Sequence, residues 1–343
     1  MRDSARPTLD TVAHAAGVSR MTVSNAYNRP DQISEQTREK VLRVARELGY
    51  AGPDPAARSL RRGRAGTVGV LLTEQLPYAF ADPGMLTFLH GLATELGAAG
   101  QALLLVPTES NADHQLVRNA VVDGFVLASL SRADPAVDDV LSRRLPVVTW
   151  GHPKLPGVAR VGVDNARAVA ECARHLLDLG HRRFGIVTFG AHAPTAAISQ
   201  RVTGFRGALA AAGVSDDDVT LVTAPVNSRP AGAAAVEALL AMARTRRPTA
   251  IFGVTDIIAL GVLDAAAKAD VAVPEQLSVV GFDDIAEASA SNPALTTISQ
   301  SLFEQGRTAA RVVIDLVAGR PPVMPRITPQ LVIRASTGPV SSR

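Results

Sequence analysis

The spacing of hydrophobic residues changes once along the chain, and the change separates a helical head from an α/β core. Within residues 7–50, apolar residues recur at helical intervals, as in the run Val41–Leu48, which lies between a capping Ser34 and a terminating Gly49. The next hydrophobic segments are short and uninterrupted, beginning with Thr67–Leu72. Such runs are typical of strands buried on both faces.

Small residues inside the head predict a helix-turn-helix. Ala13 would allow two helices to cross closely, Gly17 can adopt the positive φ of a tight turn, and Val23 would pack the second helix on the first. Ser19 is a preferred N-cap for that second helix. Capping there leaves four side chains near its outward-facing N-terminal end, the end that enters a DNA major groove: Arg20, Met21, Thr22 and Asn25.

The charge distribution supports a DNA-binding role for the head. Residues 1–64 carry 11 Arg and 1 Lys against 4 Asp and 3 Glu, a net charge of +5, whereas the whole chain carries +3 and the remainder about −2. A positive field concentrated on one small domain suits contact with phosphates. A merely structural helical cap, the alternative reading, would not account for this concentration.

Composition limits the remaining possibilities. A chain of 343 residues predicts two or three domains, and 47% hydrophobic with 20% charged residues is typical of a soluble globular protein. No apolar run approaches the ~18 to 20 residues of a membrane span, and the polar N-terminus lacks a secretion signal, so we expect a cytoplasmic protein. The single cysteine, Cys172, excludes disulfide frameworks and is interpreted as packing.

After residue 66 the pattern alternates strand with helix in two successive runs. The first run predicts strands at Thr67–Leu72, Ala102–Val106, Gly124–Leu127 and Pro146–Trp150. The second predicts strands at Phe184–Thr188, Val219–Val222, Ala250–Phe252 and Ser278–Phe282, then a helix Leu302–Val317 and an extended stretch Ile327–Arg334. Alternation of this kind implies two doubly wound parallel sheets with a cleft between them.

These motifs together resemble the lactose-repressor (LacI/GalR) family of bacterial transcription regulators. The head motifs are Val12-Ala13, Ala16-Gly17-Val18-Ser19, Thr22-Val23-Ser24, Ser34 to Leu42 and Leu48-Gly49-Tyr50. The core motifs include Val163-Asp164-Asn165, Leu179-Gly180-His181, Gly281-Phe282-Asp283 and Leu295-Thr296-Thr297-Ile298. The resemblance covers about residues 7–337, well beyond what one motif could support.

The resemblance implies a fold and its divisions. An α/β protein is expected, with a three-helix helix-turn-helix head at 1–51, a hinge helix or linker at 52–65 and a periplasmic-binding-protein-like core at 66–343. Two interleaved subdomains would make up the core, about 66–162 with 293–325 and about 163–292 with 326–337. The chain would cross between them near Val161–Asn165, near Ser291–Ile298 and after the helix Leu302–Val317.

The resemblance also implies a regulator, in most cases a repressor, that binds a near-palindromic operator as a homodimer. Arg20 is our first candidate for base contact because its fork matches guanine O6 and N7, whereas Asn25 could read adenine and Met21 could touch a thymine methyl. The resemblance assigns further residues to phosphate contact, which positions the head rather than specifying sequence: Ser19, Thr22, Asn28, Ser34, Thr37 and Tyr50.

Residues 51–64 are too short to be stable as an isolated helix, which needs ~12 to 15 residues. In the family this segment is the hinge helix, which forms on operator DNA and inserts an apolar wedge into the minor groove. The matching residues are Ala57, Arg58 and Leu60, with Asp54 as cap. A basic, flexible linker is the alternative.

An effector is expected in the cleft, where a doubly wound sheet binds ligands beyond the carboxyl ends of its strands. Family positions put Arg201 and Asp283 against the ligand, or paired with each other across the empty cleft, with Thr255 beside them and Asp256 as a helix cap. Trp150 would either stack on the effector or pack in the core. The irregular segment QLPYAFADPG offers Tyr78 and Phe80 as aromatic faces. A sugar is favoured, and a nucleoside-like ring is the alternative.

Catalysis is not expected. The chain has no G-x-G-x-x-G after the first strand, no P-loop and no G-x-S-x-G, and its seven histidines show no metal-binding spacing. No cofactor is predicted, and His181 is interpreted as structural. The alternatives are a sugar- or nucleoside-binding protein and a doubly wound enzyme without a regulatory role.

Overall fold

The computed structural model describes residues 7–53, 63–72, 76–108, 115–190, 195–243 and 245–340. The chain divides into two compact units, Met1–Gly66 and Thr67–Arg343, which we call the head and the core. The predicted hinge residues Asp54, Ala57, Arg58 and Leu60 lie outside the described residues.

The described part of the head contains three α-helices, and their ends follow the caps that the sequence indicates. Ser19 and Ser34 cap the second and third helices through their side chains, and Gly17 ends the first with a φ of +62°. The helices share a small core that includes Val12, Val23 and Val41, all with 0% exposure. The predicted helix-turn-helix is therefore confirmed, with helices α1 (Leu9–Ala16), α2 (Arg20–Asn28) and α3 (Glu35–Glu47).

The first half of the core is a five-stranded parallel sheet in the order β2-β1-β3-β4-β5. Its elements are β1 (Thr67–Leu72), α4 (Leu76–Ala81), α5 (Pro83–Ala98), β2 (Ala102–Pro107), α6 (Gln115–Asn119), β3 (Gly124–Ala128), α7 (Pro135–Ser142), β4 (Val147–Trp150) and β5 (Ala159–Val161). The short helix α4 lies in the segment that was expected to be irregular, and β5 was not predicted.

The second half has a four-stranded parallel sheet in the order β7-β6-β8-β9. Its elements are α8 (Asn165–Asp178), β6 (Phe184–Phe189), α9 (Ala196–Ala211), β7 (Val219–Ala224), α10 (Arg229–Leu240), β8 (Ala250–Gly253), α11 (Asp256–Lys268), β9 (Ser278–Val280) and α12 (Ala286–Ala290). Cys172 and His181 are buried here, as the sequence indicated. Two doubly wound halves are confirmed.

The chain then returns to each half once more. β10 (Thr297–Ser299) pairs antiparallel with β11 (Gln330–Val332) beside α8 in the second half. Between them α13 (Leu302–Val317) packs on α5 in the first half. The second crossing therefore follows Ser299, directly after the segment Ser291–Ile298 near which it was predicted, because the pairing of β10 with β11 holds Thr297–Ser299 in the second half.

Glycines make the α5–α13 contact possible. A Cβ on Gly91 would overlap the Phe303 carbonyl, and one on Gly306 would overlap the Phe88 carbonyl. The two helix backbones can approach this closely only without side chains at these positions. Among the described residues, no helix is long and apolar enough to cross a membrane.

Candidate functional site

Helix α2 presents the side chains predicted to read bases. The Ser19 hydroxyl accepts a hydrogen bond from the Thr22 backbone N–H at 3.0 Å, which fixes the start of the helix. Met21 is 68% exposed, and the Arg20 side chain is 69% exposed, with Nε 3.6 Å from a carboxylate oxygen of Asp10. Such an exposed pair is weak, so Arg20 can exchange it for another acceptor. Asn25 is half-buried.

The residues assigned to phosphate contact already have partners within the head. Thr37 and Ser34 share a hydroxyl–hydroxyl hydrogen bond of 2.8 Å, and the Asn28 amide donates to the Ser24 carbonyl at 3.0 Å. The ring of Tyr50 meets that of Tyr27 edge-on, with centroids 6.0 Å apart. These contacts hold the ends of α2 and α3 in fixed positions.

A cavity of about 140 Å³ lies in the cleft between the two halves of the core. Part of its wall is apolar, with Leu72, Met85 and Ile198 among the lining residues. The polar part includes Arg201 and Asp283. The cavity therefore combines apolar surface with a few convergent polar groups, as small-molecule sites do.

Arg201 and Asp283 form a buried ion pair, with Nη1 3.3 Å from Oδ1. Both belong to the second half, so the pair lies within one wall of the cleft and does not span it. Arg201 also donates to the Val254 carbonyl at 2.7 Å and to Asn165 Oδ1 at 3.2 Å. Its guanidinium carbon lies 3.7 Å from the centroid of the Phe282 ring. Arg201 is thus fixed from several sides, with its charge facing the cavity.

Burial dominates the ionisation of this pair. Desolvation raises the pKa of the Asp283 carboxyl, and the Arg201 charge opposes that shift without cancelling it. The same desolvation lowers the pKa of Arg201. Gln300 Nε2 donates to Asp283 Oδ1 at 2.6 Å, so a second donor supports the carboxylate. A ligand with hydroxyl groups would add partners that this pair lacks.

Trp150 packs in the core and also lines the cavity. Its ring stacks on Phe88 with centroids 3.9 Å apart, and its Nε1 donates to Gln305 Oε1 at 2.8 Å. The half-buried side chain also lines the cavity. Core packing and the Gln305 hydrogen bond fix the indole, and its position in the wall makes an aromatic surface available to a ligand.

Among the described residues, two hydrogen bonds join the halves across the cleft. The Asn227 amide, after β7, donates to Asp82 Oδ2 at 3.4 Å, and Asp82 also caps α5. The Gln200 amide, on α9, lies 3.1 Å from His152 Nε2, which accepts its hydrogen bond. Burial lowers the pKa of His152, which favours the neutral ring that this bond requires.

The role expected for Asp256 is corrected, whereas Thr255 lines the cavity as predicted. Thr255, not Asp256, caps α11, since its Oγ1 accepts from the Ile258 N–H at 3.3 Å. The Asp256 carboxylate instead accepts hydrogen bonds from the Ile285 N–H and the Thr297 hydroxyl. Thr255 Oγ1 donates to Asn227 Oδ1 at 2.7 Å, which connects Thr255 to the cleft.

Of the aromatic residues expected in the cleft from the N-terminal side, Phe80 does not line the cavity. Helix α4 directs Ala79 into the wall and leaves Phe80 55% exposed, while the side chain of Tyr78 lies outside the described structure. Sequence reasoning missed several polar lining residues, namely Asp82, Asn227, Gln300 and Gln305. For Asp82 the sequence offers a signal, because an Asp directly before a Pro is a pattern that starts a helix. Within the described ranges, no group of three or more His, Cys, Asp or Glu could hold a metal ion.

A basic head with an exposed, capped helix and a two-halved core with a polar cleft together define a ligand-responsive, DNA-binding regulator. Residues 8–52 match the model for bacterial regulatory proteins of the lacI family, and residues 173–337 match a periplasmic binding protein-like domain. The chain belongs to the LacI family of transcriptional regulators.

Individual relatives agree over nearly the whole chain. An HTH-type transcriptional regulator of Mycobacterium tuberculosis is 39% identical, covering 97% of this chain and 98% of its own. A structure of the transcriptional regulator CelR in complex with cellobiose has a TM-score of 0.69, with 31% identity, and covers 96% of this chain and 100% of its own. The lac repressor dimer bound to operator, at 23% identity and a TM-score of 0.81, covers 96% and 99% and shares the fold.

Proposed function

We propose that this LacI-family regulator acts as a homodimeric repressor on a near-palindromic operator, with its DNA affinity controlled by a small-molecule effector in the cleft. It acts in the cytoplasm and is not an enzyme. The observation that carries the proposal is the cleft itself, in which the buried pair Arg201 and Asp283 presents a donor and an acceptor beside the aromatic wall of Trp150.

The chemistry of the cleft favours a sugar as the effector. A sugar hydroxyl donates and accepts hydrogen bonds at once, and the cavity offers carboxylate acceptors at Asp82 and Asp283 with donors at Arg201 and Asn227. An aromatic surface such as Trp150 matches the apolar face of a sugar ring. The cellobiose complex of the relative CelR supports the same class.

The cross-cleft hydrogen bonds supply the coupling mechanism. An effector that inserts between Asp82 and Asn227 would replace their direct bond and change the angle between the halves. In the proposed division, with a head at 1–51, a hinge at 52–65 and a core at 66–343, that angle sets the spacing of the two hinges across the dimer. The effector can shift operator affinity only by its differential affinity for the two core states.

The proposal also assigns the contacts with DNA to individual residues of the head and the hinge. Arg20, Met21 and Asn25 read bases, and hydroxyl and amide groups at the ends of α2 and α3 contact phosphates. The hinge residues Ala57, Arg58 and Leu60 contact the minor groove.

A selection from random duplex DNA with the full-length protein tests the proposal. We expect enrichment of a near-palindrome whose half-sites are one helical turn or a multiple apart. Binding to the enriched duplex is then measured against panels of sugars and nucleosides. Absence of any preferred sequence over random competitor, with and without these compounds, would contradict the proposal.

A further inference from the structure

A second cavity, of about 450 Å³, lies beside the segments that cross between the halves rather than in the cleft. Lys154 and Arg160 reach it from the first half, Arg167 from the start of α8 in the second half, and Arg326 from the third crossing. We call it the crossing cavity. Both halves and the chain that joins them therefore border one space.

The crossing cavity is strongly basic. Its lining contains four cations, Lys154, Arg160, Arg167 and Arg326, and one carboxylate, Asp164. Asp164 Oδ1 already accepts the Arg167 backbone N–H at 3.0 Å as the N-cap of α8. In the part of the chain that the structure describes, none of the four cationic groups forms an ion pair or a side-chain hydrogen bond.

Elsewhere in the described core, some arginines have acidic partners, whereas others, such as Arg174 and Arg246, form no ion pair. Arg132 pairs with Asp138 at 2.9 Å, Arg206 with Asp216 at 2.8 Å, and Arg320, only six positions before Arg326, with Asp315 at 2.6 Å. The chain after residue 64 carries a net charge of about −2, so acidic partners are not scarce. Four unpaired cations around one cavity repel each other, and an anion would relieve that repulsion.

We propose that the crossing cavity binds a small, multivalent anion of the organic phosphate class. Arginine guanidinium groups present paired N–H donors that match two phosphate oxygens at once. Three of the four cations are arginines, and the fourth, Lys154, adds a point charge. A compact anion with several charges suits a cavity lined by exposed cations from three separate segments of the chain.

The position of the cavity gives the anion a regulatory effect. An anion held by Lys154, Arg167 and Arg326 together would restrict movement of the halves about the crossings. Arg160 lines both this cavity and the cleft cavity, so the two sites share a side chain. Binding here would therefore alter the response to the cleft effector. This second step depends on the proposed function, whereas anion binding itself does not.

Calorimetric titration of the DNA-free, full-length protein with pyrophosphate tests the binding. We expect one site per chain, weakened by added NaCl because exposed charges are screened. The double variant Arg167→Gln/Arg326→Gln should lose at least about tenfold in affinity, equivalent to about 1.4 kcal/mol. The matched control Arg132→Gln/Arg206→Gln removes the same charge elsewhere on the core and should stay within about twofold.

Three results would overturn the proposal. The first is no pyrophosphate binding by the wild type, and the second is an equal loss of pyrophosphate affinity in the control variant. The third is that the double variant loses binding to random-sequence duplex DNA while pyrophosphate does not compete with that DNA for the wild type. A thermal melt of each variant excludes unfolding as the cause. If pyrophosphate binds but leaves operator affinity unchanged, the coupling is wrong. Because the titration contains no DNA, its failure leaves the proposed function intact, and failure of the operator selection leaves anion binding intact.

Discussion

The indole Nε1 of Trp150 donates a hydrogen bond to Gln305 Oε1 at 2.8 Å, across 155 positions of sequence. The bond joins the end of β4 to α13 in the wall of the cleft cavity, and Trp150 is the only tryptophan of the chain. Its fluorescence therefore reports on this wall alone.

Ligand entry should change Trp150 emission. We expect a saturable shift in a fluorescence titration with the effector, because the ligand replaces solvent beside the half-buried ring. Asp283→Asn, which keeps Trp150 and removes a ligand partner, should not respond at the same concentrations. Calorimetric binding without any change in emission would contradict the position assigned to the effector.

Arg201→Ala and Asp283→Asn should differ in stability. Removing Arg201 leaves a buried carboxylate without its cation, which costs about 3–5 kcal/mol. Asn at position 283 also leaves a buried charge, the Arg201 guanidinium, without its partner, but it keeps an oxygen for Gln300 and the other hydrogen bonds of Arg201, so we expect a loss at the lower end of this range, about 3 kcal/mol. Urea unfolding followed by Trp150 emission measures both. Equal stabilities would refute the central role of Arg201.

The same two variants should separate effector response from DNA binding. Both should lose the ligand response, and Asp283→Asn should keep operator affinity within about twofold because it is far from the head in sequence and belongs to the other unit. Titration of labelled operator with and without effector makes the comparison. Loss of operator binding with normal effector binding would argue against these roles.

Gly91→Ala should destabilise the core and Gly97→Ala should not, although both lie on α5. A methyl group on Gly91 overlaps the Phe303 carbonyl, and overpacking of this kind costs about 1–3 kcal/mol. No atom lies within 4 Å of the Cβ position at Gly97, so alanine there should gain about 0.5–1 kcal/mol of helix propensity. Thermal unfolding of both variants checks the prediction, which fails if their melting temperatures move together.

His181 should contribute to acid sensitivity. Burial lowers its folded-state pKa to about 4, although the Gly338 carbonyl opposes the shift. Because the folded state holds the neutral ring, the lowered pKa of His181 contributes to the stability of the folded protein above a pH of about 6.5. This contribution is at most about 3 kcal/mol, and it is lost as the pH falls toward 4. His181→Gln should flatten the stability profile over this window, and His90→Gln, on the exposed face of α5, should not. An unchanged profile in His181→Gln would rule out this assignment.

Arg20→Ala should relax preference at one base position per half-site. The exposed guanidinium is worth about 1–3 kcal/mol of discrimination if it reads a guanine. Arg43→Ala removes the same charge from the exposed face of α3 and should weaken binding to all sequences equally. Repeating the duplex selection with each variant tests this. Unchanged selectivity in Arg20→Ala would reject the base-reading role.

The sequence by itself determined most of the elements and the family. The bounds of β1 and α13 follow from local apolar patterns, and the start of α2 follows from Ser19, because caps and apolar spacing act within a few residues. The motifs also identified Arg201 and Asp283 as cleft residues, and the structure brings them together in its wall.

Only the tertiary structure decided which long-range contacts hold the cleft and which polar side chains line it. Asp82 and Asn227 meet over 145 positions, and the crossing cavity gathers cations from three separate segments. No local pattern marks such partners, since their approach depends on the packing of two sheets and on the pairing of β10 with β11. Local sequence patterns thus determine the helices and strands, and long-range packing determines which polar groups face one another.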